Sequence, residues 1–246
     1  MLKKLKLNKN IITVMLLFMA MFLPSTAYAD TVDLAKNGDF SESVNTIIFI
    51  TITMMGPFII MCCTCFPRYV IGLSFLKQAL GVQQVPPSQI IIGISIILSM
   101  FTMTPTVNRV INEAYTPYKE EQITSKEMFE KSSLIAKEFM LKYTTEDNLL
   151  LMAEAQGIEE LPESKEDLNF WVVSSAYLIS ELSKVTLMGA LFYVIFIGID
   201  LLVAAILMAM GMVMLPPASI SILVKLIVFL AADGWHNIIK MLVHSF

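Results

Sequence analysis

The 246-residue chain is 56% hydrophobic and only 15% charged, with a formal net charge of −4. A soluble domain of this size carries roughly a quarter charged residues, so this composition excludes an ordinary soluble globular protein. There is no basic patch with interleaved aromatics, so nucleic acid is excluded as a partner.

The chain begins with a basic stretch, MLKKLKLNKN, an apolar stretch, IITVMLLFMAMFL, and then STAYAD, with small residues at Ala27 and Ala29. That order reads as a secretory signal peptide over residues 1–29, cleaved after Ala29. Residues 30–43 form a short extracytoplasmic N-terminus. No charged side chain occurs from Ser43 to Pro67, from Gln78 to Asn108 or from Leu201 to Val224. Each run meets the roughly 20 residues a helix needs to cross a hydrocarbon core. The predicted fold is an all-α integral membrane protein. It has a first membrane hairpin over residues 44–111, an acidic helical extracytoplasmic segment over 112–184 and a second hairpin over 185–246. In this topology Arg68 and Lys77 lie on the inner side, and Arg68 and Arg109 serve as interface anchors at the ends of runs.

The acidic segment holds fifteen acidic residues against seven lysines, a net of −8. Thr124 and Glu127 have the spacing of a capping box, and Met128, Ile135 and Phe139 follow on one face. A second helix is expected from a Thr cap at TTEDN to Gly157, a glycine suited to a helix C-terminus. A third is expected to bury Leu168, Trp171, Val172, Ser175, Ile179 and Leu182 on one stripe and to run unbroken into the third apolar run. These stripes read as packing faces.

Chemistry-bearing constellations are sparse. His236 and His244 are the only histidines, and no cysteine lies near them at metal-ligand spacing. Cys62, Cys63 and Cys65 lie inside an apolar run and read as packing residues. No Walker loop, nucleophile elbow or glycine fingerprint after a strand is present. The sequence therefore predicts no enzyme, no catalytic residue, no metal and no cofactor. Two ionisable residues fall within apolar runs, Asp200 and Lys225, and such groups normally face a partner or a watery cavity. Asp200, Asp233 and Glu181 are the candidate partners of Lys225.

Two breakers punctuate the hairpins: ALGVQQVPPSQ from Ala79 and AMGMVMLPPAS from Ala209. Gly81 with Pro86 and Pro87, and Gly211 with Pro216 and Pro217, predict non-helical elbows on one side of the membrane, because paired prolines remove donors and force extended backbone. Gln83, Gln84 and Gln89 make the first elbow polar. Met208, Met210, Met212 and Met214 surround the second, and methionine deforms readily around variable partners.

The stretches LSFLKQALGVQQVPPSQ, MTPTVNRVINEAYTPY, DLLVAAILMAMGMVMLPPASISILVKL and DGW together resemble the FliP family, the P protein of the bacterial flagellar type III export gate. Pro67 and the cysteines of CTCFPRYV depart from its pattern. The resemblance implies a homo-oligomer of five copies in the inner membrane, within the flagellar basal body. The copies would assemble with the Q and R proteins, other export-apparatus membrane proteins and membrane lipids, and pass unfolded exported proteins. It implies a methionine gasket at Met210, Met212, Val213 and Met214, and a structural charge pair of Glu181 with Lys225. The alternatives are the equivalent SctR-like subunit of an injectisome and a secondary transporter with broken-helix repeats.

Overall fold

The computed structural model describes residues 61–82, 86–158, 161–162, 164–212 and 214–246. The expected leader ending at Ala29, the segment 30–43, the start of the first run, Gln83, Gln84 and Val213 lie outside the described residues. Every regular element among those described is a helix.

Helix α1 spans Phe66–Ala79 and opens with Pro67 in its first turn, where a missing N–H does no harm. Tyr69, Leu73 and Leu76 recur at helical spacing on its buried face. Helix α2, Ser88–Val110, is apolar all round but buries only Ile91, Ser95 and Ser99, a seam one residue wide. Small side chains on that seam let α1 approach closely. Polar contacts stitch the pair, with the Tyr69 and Thr102 hydroxyls 2.5 Å apart and the Cys65 thiol 3.6 Å from the Ser99 carbonyl. A π-helical turn at Ile111–Tyr115 and the short α3, Thr116–Lys119, prolong α2 into one stretch of 32 residues.

Helix α4 covers Ser125–Tyr143 and α5 covers Glu146–Glu154. The capping box at the start of α4 is formed as expected: the Thr124 N–H donates to the Glu127 carboxylate at 2.7 Å, and the Glu127 N–H donates to the Thr124 hydroxyl at 3.3 Å. Thr145 begins α5, but its hydroxyl lies 3.3 Å from that of Ser180 instead of capping its own helix. Gly157 follows α5 with φ 81°, the left-handed conformation glycine adopts without strain.

Helix α6, Phe170–Ala209, is 40 residues long and runs unbroken from the acidic segment into the apolar run, as the sequence predicts. At 1.5 Å per residue it is about 60 Å long, roughly twice the thickness of a hydrocarbon core. Its first turns pack Val172, Val173, Ala176 and Tyr177 against Met140, Leu149 and Ala153 of α4 and α5. This differs from the predicted stripe. Leu168 and Val172 are buried, but Trp171 and Leu182 are exposed, because helices on two sides select a face about one residue further round. Further along, α1 packs closely on α6. A Cβ on Gly189 would stand 2.6 Å from the Phe75 ring, so the helix axes could not approach this closely with any larger residue.

Helix α7, Pro217–Ala231, and α8, Gly234–His244, follow, with a bend of 66° between them at Asp233. Asp233 has φ 49°, and aspartate is one of the few residues other than glycine that tolerates this region. Leu242 of α8 is fully buried in the same cluster as Tyr69, Leu73 and Leu76 of α1, with Phe196 of α6 and Phe229 of α7. Among the described residues, Ser88–Lys119 and Phe170–Ala209 are long and apolar enough to cross a membrane, and α7 with α8 makes a third if the bent pair is one span.

Candidate functional site

Both breakers are elbows, and they lie at the same end of the bundle. Gly81 and Gly211 follow their helices with φ 76° and 74°. At the second elbow the Gly211 N–H donates to the Met208 carbonyl and the Met212 N–H to the Leu207 carbonyl, both at 3.0 Å. That pair of bonds is a Schellman stop, which satisfies two carbonyls that the helix end leaves free. The first elbow repeats the inner bond, Gly81 N–H to Gln78 carbonyl, at 3.0 Å. Pro87 and Pro216 are extended residues at the helix starts, and Pro217 is the first helical residue of α7. Gly81 lies against Ile222 of α7, and the Lys225 ammonium is 3.4 Å from the Ala79 carbonyl, so α7 passes beside the first elbow as it leaves the second.

The two elbows differ in what surrounds them. Gln89 and the prolines border a polar first elbow. At the second, Met208, Met210, Met212, Met214 and Leu215 are all exposed, and Met214 is 97% exposed. The apolar surface continues along α6 through Leu201, Leu202 and Ile206 and along α7 through Leu223 and Ile227. Thioethers on a short non-helical loop can change shape without breaking backbone hydrogen bonds.

Within one chain the expected pair of Glu181 with Lys225 is not formed. Lys225 donates to Asp200 at 2.6 Å, one of the three partners open to it from the sequence. Glu181 is nineteen residues from Asp200 on α6, about 28 Å of helix, far beyond the reach of that lysine. Its partner is Arg68, whose Nε donates to Oε2 at 2.5 Å while Nη2 donates to Oε1, a bidentate pair. Arg68 is therefore no interface anchor; it is 1% exposed. It stands level with Glu181, so the first turn of α1 lies beside the end of the acidic segment. Arg109, by contrast, is exposed and pairs with Glu113 and Glu138.

The arginine also holds the end of the chain. Its Nη1 donates to the Ser245 carbonyl at 2.7 Å and hydroxyl at 2.8 Å, and its guanidinium lies 3.6 Å from the Phe246 ring centroid. The Tyr143 hydroxyl donates to the Phe246 carbonyl oxygen at 2.6 Å. Sequence reasoning missed this cluster, though a signal was present. Arg68 is the only charged residue between Ser43 and Leu76, and a cation inside such a run needs a carboxylate.

The three cysteines are free thiols packed among helices. Among the described residues no three His, Cys, Asp or Glu side chains are placed to hold a metal ion. The site thus offers exposed deformable apolar surface on a braced helical frame.

The sequence model of the FliP family matches residues 49–242. The flagellar biosynthetic protein FliP of Bacillus subtilis is 37% identical over 206 residues, covering 84% of this chain and 93% of the relative. That of Aquifex aeolicus is 37% identical over 210 residues, covering 85% and 88%. That of Caulobacter vibrioides is 35% identical over 240 residues, covering 96% and 90%. An all-helical membrane chain with paired elbows, matched over most of its length by this family and its relatives, belongs to the FliP family.

Proposed function

We propose that this chain is a pore-forming structural subunit of the flagellar type III protein export gate, seated in the inner membrane, with no bond chemistry of its own. Several copies, five by the family resemblance, surround a channel together with the Q and R proteins, and unfolded flagellar proteins pass through it. The observation that carries this reading is the second elbow. Met208 at the end of α6 and Met210, Met212, Met214 and Leu215 just after it are all exposed among the described residues. Met210, Met212, Val213 and Met214 then act as a gasket that deforms around a passing chain and closes behind it.

The relatives' flagellar names support this over the injectisome reading. The transporter reading needs polar groups converging on both breaks, and the second break is lined by methionine and leucine. The expected test result is that Met212→Ala with Met214→Ala leaves assembly of the purified complex intact and makes membranes leaky to small ions and dyes. Unchanged permeability in an assembled complex would remove the gasket.

A further inference from the structure

Phe246 is a wall between two compartments. On one side lies the buried Arg68–Glu181 pair, with the guanidinium carbon 3.6 Å from the phenyl centroid. On the other lies a cavity of about 610 Å³ between α2, α4 and α8, lined by Phe246 itself with Phe101, Pro105, Ile135 and Val243 among others. A phenyl ring swung into that cavity stays among apolar side chains, so leaving its seat exposes little apolar area to water.

Side chains fasten this wall more than backbone does. Helix α8 stops at His244, and beyond it the Phe246 N–H reaches the Val243 carbonyl at a long 3.4 Å. Arg68 Nη1 holds the Ser245 carbonyl and hydroxyl, and the Tyr143 hydroxyl holds the Phe246 carbonyl oxygen. The rings of Tyr69, Phe139 and Tyr143 surround the phenyl with centroids 5.0 to 6.5 Å away. Two residues thus cover one face of a buried guanidinium whose desolvation the carboxylate must offset. A short segment seated on side chains opens locally without the rest of the fold, because few buried contacts are lost.

We propose that Ser245–Phe246 is a strap that opens and closes over the Arg68–Glu181 pair, the phenyl ring moving between its aromatic seat and the cavity. Closed, the strap keeps the pair dry; open, it admits water and small solutes to Arg68. Wetting of this junction is then a separate event from unfolding of the bundle. The chain has two arginines, Arg68 at 1% exposure and Arg109 with a side chain 47% exposed, so arginine modification carries its own control. Full-length protein in detergent, treated with phenylglyoxal and mapped by mass spectrometry, should be labelled fast at Arg109 and slowly at Arg68. Phe246→Ala should speed labelling of Arg68 by about tenfold, the weight of one desolvated cation–π contact, and leave Arg109 unchanged. The wild-type protein supplies a test that does not depend on how that variant folds. Urea below the unfolding transition should barely change the Arg68 rate, because the denaturant slope of an opening scales with the surface it exposes. An Arg68 rate that rises with urea as steeply as global unfolding does would overturn the proposal. So would an unchanged Arg68 rate in folded Phe246→Ala, or equal labelling of the two arginines in the wild-type protein.

Discussion

The two ends of α6 are built on opposite plans. At the Glu181 end, the carboxylate and Arg68 are buried together, both guanidinium–carboxylate contacts are made, and the last two residues of the chain close over them. At the elbow end, Lys225 makes one contact to Asp200, whose side chain is 40% exposed and whose other oxygen has no hydrogen-bond partner among the described residues. Around it lie exposed methionines and leucines. One end is closed over by its own chain, and the other leaves apolar side chains exposed among the described residues. In the proposed function that division has a use, because apolar surface spent on a chain's own core is lost to assembly.

The largest effect should come from breaking the closed end. Glu181→Gln leaves Arg68 as an uncompensated buried charge and should destabilise by about 3–5 kcal/mol, read by thermal unfolding of the detergent-solubilised protein. Replacing both partners, as Arg68→Met with Glu181→Leu, should recover most of that loss. Asp200→Asn should cost less, roughly 1–3 kcal/mol, because its site is partly open and the ammonium keeps the Ala79 carbonyl. If the two single variants melt alike, the contrast between the ends is wrong.

A smaller effect belongs to the capping box. Thr124→Ala should remove about 1 kcal/mol from the start of α4. The Thr124 backbone N–H, and then its hydroxyl, hold the Glu127 carboxyl below the usual carboxylate range. A depressed folded pKa gives stability that is present above the unfolded carboxylate pKa and lost as pH falls through the folded one. Unfolding temperature should therefore drop on acidification below the carboxylate range, and Glu127→Gln should flatten that component. The smallest change should follow Met214→Ala. Its side chain touches solvent on nearly all sides, so stability should move by no more than about 0.5 kcal/mol even where permeability changes. A large stability loss would show that the loop belongs to the fold, not to an interface.

Much of the architecture was legible because it rests on local rules. Gly81 and Gly211 needed only the freedom of glycine at positive φ, and the Pro-Pro pairs only their missing donors. Thr124 and Glu127 needed only their spacing. The buried stripe at the start of α6 was misplaced because Trp171 and Val172 are equally apolar in sequence, and only the position of α4 and α5 decides between them. The sequence left Lys225 open between Asp200, Asp233 and Glu181 for a related reason. Pairing depends on the axial level of each residue along packed helices, and the hydropathy of a run does not encode level.

The sequence by itself determined that this is a helical membrane chain whose helices stop before Gly81 and Gly211 and start again at the Pro-Pro pairs. Hydrophobic run length, proline geometry and capping are properties of contiguous residues. Only the tertiary structure decided that Arg68 lies beside Glu181 and the chain end, that Lys225 meets Asp200, and that the methionines stay uncovered. Those outcomes depend on how far one helix slides along another, and that is set by the close approach at Gly189 and the packing of Leu242 against α1, contacts between residues distant in the chain.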